Sequence, residues 1–184
     1  IDNHRPDVII FEDYNKGVLT AEIIEHAIGL ALEKGIPTAV DPKKANFFAY
    51  RHTTLFKPNL KELADGLKID INRNDIESVK SAVSVLEQRL ENRISLITLS
   101  EKGVFVKRGE ESHHLPAHVR RIADVSGAGD TVISVAALAL AADWDIGDMA
   151  ALSNLAGGLV CEHVGVVPID RDRLKEEALH HFSR

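Results

Sequence analysis

Short continuous apolar runs alternate along the chain with segments whose apolar residues recur at helical spacing. Asp7 to Phe11, Thr38 to Val40, Thr54 to Lys57 and Ile94 to Leu99 are such runs, bounded by polar residues and suited to strands buried on both faces. Between the first two, Ile23, Ile24, Ala27, Ile28 and Ala31 fall on one stripe, with Thr20 as a cap and Gly35 and Pro37 as stops, which predicts a helix. Asn59 begins a short helix ending near Gly66, and Asp75 caps a longer one with Ile76, Val79, Val83, Leu86 and Leu90 on one face. The Ser100–Gly103 turn and Gly109 fold Ile94 to Leu99, Val104 to Lys107 and Ser112 to Leu115 into an antiparallel meander. After Gly127-Ala128-Gly129, an Ala-rich helix runs to about Ala142. Others occupy roughly Asp148 to His163 and Leu174 to Phe182.

Strands alternating with helices predict an α/β domain, with a mostly parallel sheet covered on both faces and no repeat or linker across residues 1–184. Ligands of such sheets bind outside the carboxyl ends of the strands. The polar clusters Asp13 to Gly17, Asp41 to Lys44, Asn59 to Glu62 and Ser100 to Gly103 each follow a predicted strand, so together they mark one edge as a candidate site.

Composition narrows the function. The 184 residues are 45% hydrophobic, enough for a packed core, and the net charge of -6 argues against nucleic acid or an anionic membrane as partner. An anionic ligand is then held by local backbone N–H groups and a few cations. The longest apolar run, Val132 to Ala142, is too short to span a bilayer, and the lone Cys161 excludes an internal disulfide and fits a reducing compartment. The chain begins without Met and enters a strand pattern within a few residues, and so reads as part of a longer protein.

The densest chemistry lies in Asp124-Val125-Ser126-Gly127-Ala128-Gly129-Asp130-Thr131, at the start of the Ala-rich helix. Two glycines flanking an alanine let backbone N–H groups face an anion at a helix N-terminus, where the macrodipole adds attraction. Asp130 repels a phosphate, which makes sense if it accepts a proton from an attacking hydroxyl while the N–H groups stabilise the transferring phosphoryl. A plain tight turn, with Asp130 as a first-turn acid, explains the same residues. The Walker ending is absent, and Val132 stands where the dinucleotide fingerprint needs glycine.

This segment resembles the C-terminal signature of the ribokinase-like sugar kinases. Lys57-Pro58-Asn59-Leu60-Lys61-Glu62 resembles that family's Pro-Asn-x-x-Glu segment, Ser100-Glu101-Lys102-Gly103-Val104 its nucleotide-side turn, and Asn154 to Gly158 the helix bordering the adenine. Asp13 to Gly17, Asp41-Pro42-Lys43 and Gly127 to Ile133 are most similar to the heptose-7-phosphate kinase branch. The resemblance implies a three-layer α/β/α sandwich, of which this chain is the C-terminal nucleotide-binding part, with the sugar-binding and lid segment preceding it. It implies phosphoryl transfer from ATP with Mg²⁺ to the anomeric hydroxyl of a sugar phosphate, in the cytoplasm, toward ADP-heptose and lipopolysaccharide core. A homodimer of the full-length protein and a fused nucleotidyltransferase are part of that picture. The rivals are a kinase for another sugar and an inactive nucleotide-binding module.

By the same resemblance, Asp130 is the base, and the N–H groups of Gly127, Ala128 and Gly129 form the anion hole. Asn59 and Glu62 lie near Mg²⁺ and the phosphates, Glu62 through water. Ser100, Glu101 and Gly103 border the nucleotide, and Asn154 the adenine or ribose. Asp124 and Ser126 match positions that hold a monovalent cation such as K⁺ in relatives. Asp13, Lys16 and Lys43 are candidate contacts to the phosphorylated sugar. Asn59 with Glu62 also reads as a capping box, and Asp13 to Gly17 as a solvated turn. The nine histidines form no metal set, because Pro116 interrupts the His114/His118 spacing.

Overall fold

The computed structural model describes residues 4–118 and 120–182. Six strands form one sheet in sequence order: β1 (Ile9–Glu12), β2 (Thr38–Asp41), β3 (Leu55–Phe56), β4 (Ile94–Thr98), β5 (Val104–Arg108) and β6 (Glu111–Leu115). β1 to β4 run parallel, while β4, β5 and β6 pair antiparallel, so the expected meander closes one side of a parallel sheet. The helices are α1 (Ala21–Glu33), α2 (Leu60–Leu67), α3 (Ile76–Leu90), α4 (Ala128–Ala141), α5 (Ile146–Val160) and α6 (Arg171–Phe182). None among the described residues is long and apolar enough to cross a membrane.

Strand order explains how the helices divide. Each parallel crossover steps the same way across the sheet, and crossovers of the usual hand then put α1, α2 and α3 on one face. That face packs Phe11, Val40, Phe56 and Ile97 against Ile24, Ile28, Leu63, Val83 and Leu86. Successive strand residues point to opposite faces, so Ala39, Leu55, Leu96 and Val106 present the other side to Val132, Ile133 and Ala136 of α4 and to Met149 and Ala150 of α5. Alanines along α4 let it lie close to the sheet. The result is helices on both faces of a mostly parallel sheet.

Local chemistry places the ends. Thr20 Oγ1 accepts from Ile23 N at 3.3 Å, and Asp75 caps α3 as expected. The spacing set α5 from Asp148 to His163; it runs from Ile146 to Val160, because the Asp145 carboxylate accepts from Gly147 N at 2.8 Å and starts the helix earlier. α6 likewise begins at Arg171 rather than Leu174, with Asp170 accepting from Asp172 N and Arg173 N. Arg120, joined to Glu162 and Glu177, ties α6 to the end of α5.

Gly103 joins β4 to β5 with φ +86°, and a Cβ there would meet Ala117 N at 2.6 Å and overlap the Leu115 carbonyl. Gly103→Ala should therefore lower the unfolding free energy by at least about 2 kcal/mol, readable as a shifted urea midpoint with unchanged slope.

Candidate active site

Alternation along three neighbouring strands builds the site. Phe11, Val40 and Phe56 face the α1–α3 core, so the next residues, Glu12, Asp41 and Lys57, point to the α4 side at the carboxyl end of the sheet. Register aligns them, with Glu12 beside Asp41 and Val40 beside Phe56. Lys57 Nζ lies 3.0 Å from Asp41 Oδ2 in a buried ion pair. Lys43 Nζ lies 3.6 Å from Asp41 Oδ1 and 3.0 Å from Glu62 Oε1.

The N-terminus of α4 comes down onto this row. Gly127 is its N-cap residue, at φ +78°, and no side chain caps the helix. The first helical N–H groups have no acceptor within the helix. Ala128 N donates to Val125 O at 3.3 Å, while the N–H groups of Gly127, Gly129 and Asp130 have no acceptor among the described residues, so two of the three expected cradle donors stay open and Asp130 N adds another. A Cβ at Gly129 would stand 3.7 Å from both Asp41 Oδ2 and Lys57 Nζ, which places the helix end within van der Waals reach of the ion pair. Asp130 Oδ2 accepts from Tyr14 Oη at 2.7 Å, and the carboxylates of Glu12, Asp41 and Asp130 gather with oxygens within 4.8 Å of one another.

Crowding of like charge shows in the titration of these groups. Burial, then the charges of Asp41 and Asp130, push the Glu12 carboxyl up to about 7, against the opposing pull of Lys57. The hydrogen bond to Asp130 pushes the Tyr14 phenol up to about 12. For Lys43, burial works against the charge, but Asp41 and Glu62 outweigh it and hold the ammonium above its ordinary range.

Other expected site residues divide into two groups. Asn59 and Glu62 sit beside the row and form a complete capping box, at 2.9 and 2.8 Å, at the start of α2. Lys16 is exposed in the loop after β1. Ser100, Glu101 and Gly103 form the turn after β4, next to Asn59 through the Asn59–Thr98 bridge, although Glu101 is engaged by Arg73.

Three further expected site residues make hydrogen bonds within the fold. Asp13 is buried, its carboxylate accepting from Tyr50 Oη at 2.8 Å, Asn46 Nδ2 at 3.2 Å and Asn15 N at 2.7 Å. Asn154 is buried too, its amide donating to Pro116 O at 2.9 Å and joining α5 to the segment after β6. Asp124 clasps its own loop, accepting from Ser126 N, Ser126 Oγ and Gly165 N, and these donors hold its carboxyl below the ordinary range, Gly165 first. That leaves a cation roughly one of its four lone-pair positions. Tyr14 and Asp41 lie in polar clusters that mark this edge in the sequence, and Lys57 closes the buried run Thr54 to Lys57, whereas Glu12 carries no signal beyond its place at the end of an apolar run.

The model of the pfkB family of carbohydrate kinases matches residues 6–172. The chain belongs to that family. Among curated pfkB relatives, the bifunctional protein HldE of Syntrophotalea carbinolica is 40% identical over 181 residues, covering 96% of this chain and 36% of its own. The HldE of Caulobacter vibrioides is 41% identical over 160 residues, 86% of this chain and 33% of its own. The chain thus spans about a third of these relatives. Escherichia coli phosphofructokinase-2 in complex with potassium superposes with a TM-score of 0.85 at 19% identity, over 96% of this chain and 57% of its own. Arabidopsis thaliana ribokinase complexed with ribose and ATP superposes at 0.78 and 17% identity, over 94% and 55%. At such identities the likeness is one of fold, and it makes the pfkB chain ribokinase-like.

The buried pair and the crowded acid give two expectations. Lys57→Met strips Asp41 of its nearer partner and should cost about 3 kcal/mol in urea denaturation, whereas Lys43→Met, at the more exposed partner, should cost under about 1 kcal/mol. Glu12 binds its proton more tightly folded than unfolded, so its contribution is present below about 4.5 and is lost as pH rises through about 7. Glu12→Gln should therefore gain stability relative to wild type across that window. A thermal-melting difference that stays flat with pH contradicts this.

Proposed function

We propose that this chain carries the phosphoryl-transfer machinery of a sugar kinase, moving the γ-phosphoryl of ATP to the anomeric hydroxyl of a heptose 7-phosphate. The observation behind the reading is the Asp130 carboxylate, accepting a hydrogen bond from an O–H at 2.7 Å at the uncapped end of α4. A carboxylate so placed accepts a hydroxyl proton, and helix N–H groups beside it stabilise charge on phosphoryl oxygens. The HldE relatives, at about 40% identity over most of this chain, support heptose as the sugar.

In this reading Asp130 takes the acceptor proton as the sugar oxygen approaches phosphorus. The open N–H groups of Gly127, Gly129 and Asp130 are the donors available to the transferring oxygens, and Lys57 adds positive charge beside them. Transition-state charge is spread over those oxygens, so orientation and electrostatics do most of the catalysis. Lys43 and Lys16 are the cations available to a sugar phosphate. Asn59 and the 100–103 turn flank the nucleotide side. Mg²⁺ accompanying ATP neutralises phosphate charge when bound; Glu62, whose oxygens each accept one hydrogen bond and keep a lone pair, would hold it through water as in the family it resembles. Asp124 is largely committed to its loop, and a monovalent cation such as K⁺ would use its remaining lone-pair position beside Ser126. The cytoplasm, as the site of ADP-heptose synthesis, belongs to the same proposal.

Turnover of a panel of sugar phosphates by the full gene product tests it. Heptose 7-phosphate should be the preferred acceptor, and no turnover of it beside turnover of another sugar sinks the heptose assignment. Asp130→Asn should lower kcat by about 10²–10⁴-fold while ATP binding persists. Near-normal turnover removes Asp130 as the base.

A further inference from the structure

We propose that Glu12 is a positioning residue for the Asp130 base, a switchable hydrogen-bond partner that, with Tyr14, sets how readily Asp130 accepts the sugar's proton. This rests on the kinase reading above. Glu12 ends β1 on the α4 face, and its carboxylate, with those of Asp41 and Asp130, forms a cluster whose oxygens lie within 4.8 Å of one another.

The three acids are not equivalent. Asp41 has Lys57 at 3.0 Å and Lys43 at 3.6 Å. Asp130 has the Tyr14 hydroxyl at 2.7 Å and the positive end of α4. Glu12 has no ion pair of its own among the described residues. The groups facing it are Asp41 from β2, Lys57 beyond β3, Asp130 from α4 and Tyr14 from its own loop. Two carboxylates this close, without a cation between them, share a proton more readily than both ionise. Glu12 is the one that holds it, titrating at about 7, and in that state it donates to Asp130.

Two forms of the site follow. With Glu12 protonated, Asp130 accepts from both Glu12 and Tyr14, and fewer of its lone pairs are left for a substrate. With Glu12 ionised, that donation ends and Asp130 keeps Tyr14 as its hydroxyl donor, leaving its other oxygen open to the sugar hydroxyl. The sugar hydroxyl then donates to that oxygen. Its proton passes to Asp130 while the bond from sugar oxygen to γ-phosphorus forms and the bond from γ-phosphorus to the bridging oxygen of ADP breaks. On product release the proton leaves Asp130 for water, directly or through Glu12.

The test measures kcat of the full gene product between about pH 5 and 8, with saturating ATP and whichever sugar phosphate it turns over. The wild type should speed up through an ionisation near 7. In Glu12→Gln the amide donates at every pH, so that ionisation should vanish and kcat at the alkaline end should fall about tenfold. Glu12→Asp should restore a pH-dependent rise. A Glu12→Gln enzyme that keeps the wild-type rise overturns the proposal. Carbon-13 NMR of the carboxyl groups reads the same coupling without catalysis and without a variant: Glu12 Cδ should titrate near 7, with Asp130 Cγ following the same transition. Independent titration of the two carbons overturns the proposal even if every Glu12 variant fails to fold. Coupled titration in a protein that phosphorylates no sugar sinks the kinase reading alone and leaves the Glu12–Asp130 coupling standing.

Discussion

The Asp41–Lys57 ion pair, buried at 3.0 Å between the ends of β2 and β3, is the interaction around which the site is organised. Neither charge could stay in that environment alone, because desolvation of an unpaired ion costs several kcal/mol. Together they fix the sheet's carboxyl edge as a polar floor beneath an otherwise apolar helix. The N-terminus of α4 approaches this floor closely at residue 129, where even a Cβ would lie 3.7 Å from both charges of the pair. Without the lysine, the helix end would meet only carboxylates. With it, the same few ångströms hold carboxylates, a cation and open N–H donors.

That floor also reconciles an acidic protein with a phosphate ligand. A net charge of -6 disfavours anions at long range, and Glu12, Asp41 and Asp130 intensify this locally. What counters them is short-range: two lysines on Asp41, a hydroxyl on Asp130, a proton on Glu12, and the helix dipole above. Each works within about one Debye length, where the net charge matters less than the nearest groups.

Much of this was legible in the chain. Apolar runs gave the strands, because a sheet covered on both faces leaves little room for polar residues, and the cap residues Thr20, Asn59 and Asp75 marked three helix starts. The Gly-Ala-Gly-Asp segment pointed to the helix end that closes the site. What stayed hidden was orientation. Asp13, Asn154 and Asp124 have the right chemistry and the right neighbourhood, yet their side chains complete hydrogen bonds of the fold itself. Glu12 and Lys57 were overlooked for the opposite reason. Each ends a strand and looks like loop polarity, and only pairing register shows that the alternation carries both to the α4 face.

Asp13 shows how the core reaches the chemistry. Tyr50, packed against Phe11 and Phe56, holds the Asp13 carboxylate from inside, and Asn46 holds it from the side. With Asp13 drawn inward, the next residue turns out, and Tyr14 Oη arrives on Asp130, 116 positions further along the chain. The Asp130 carboxylate is thus located from two directions: by the pitch of α4 above and by an aromatic cluster on the far side of the sheet. A cluster of like charges is unfavourable in itself, so such a site persists only where the surrounding packing over-determines it. Here the packing is supplied by residues that never touch a substrate. This is why the inward turn of Asp13 still bears on the Asp130 carboxylate, through Tyr14.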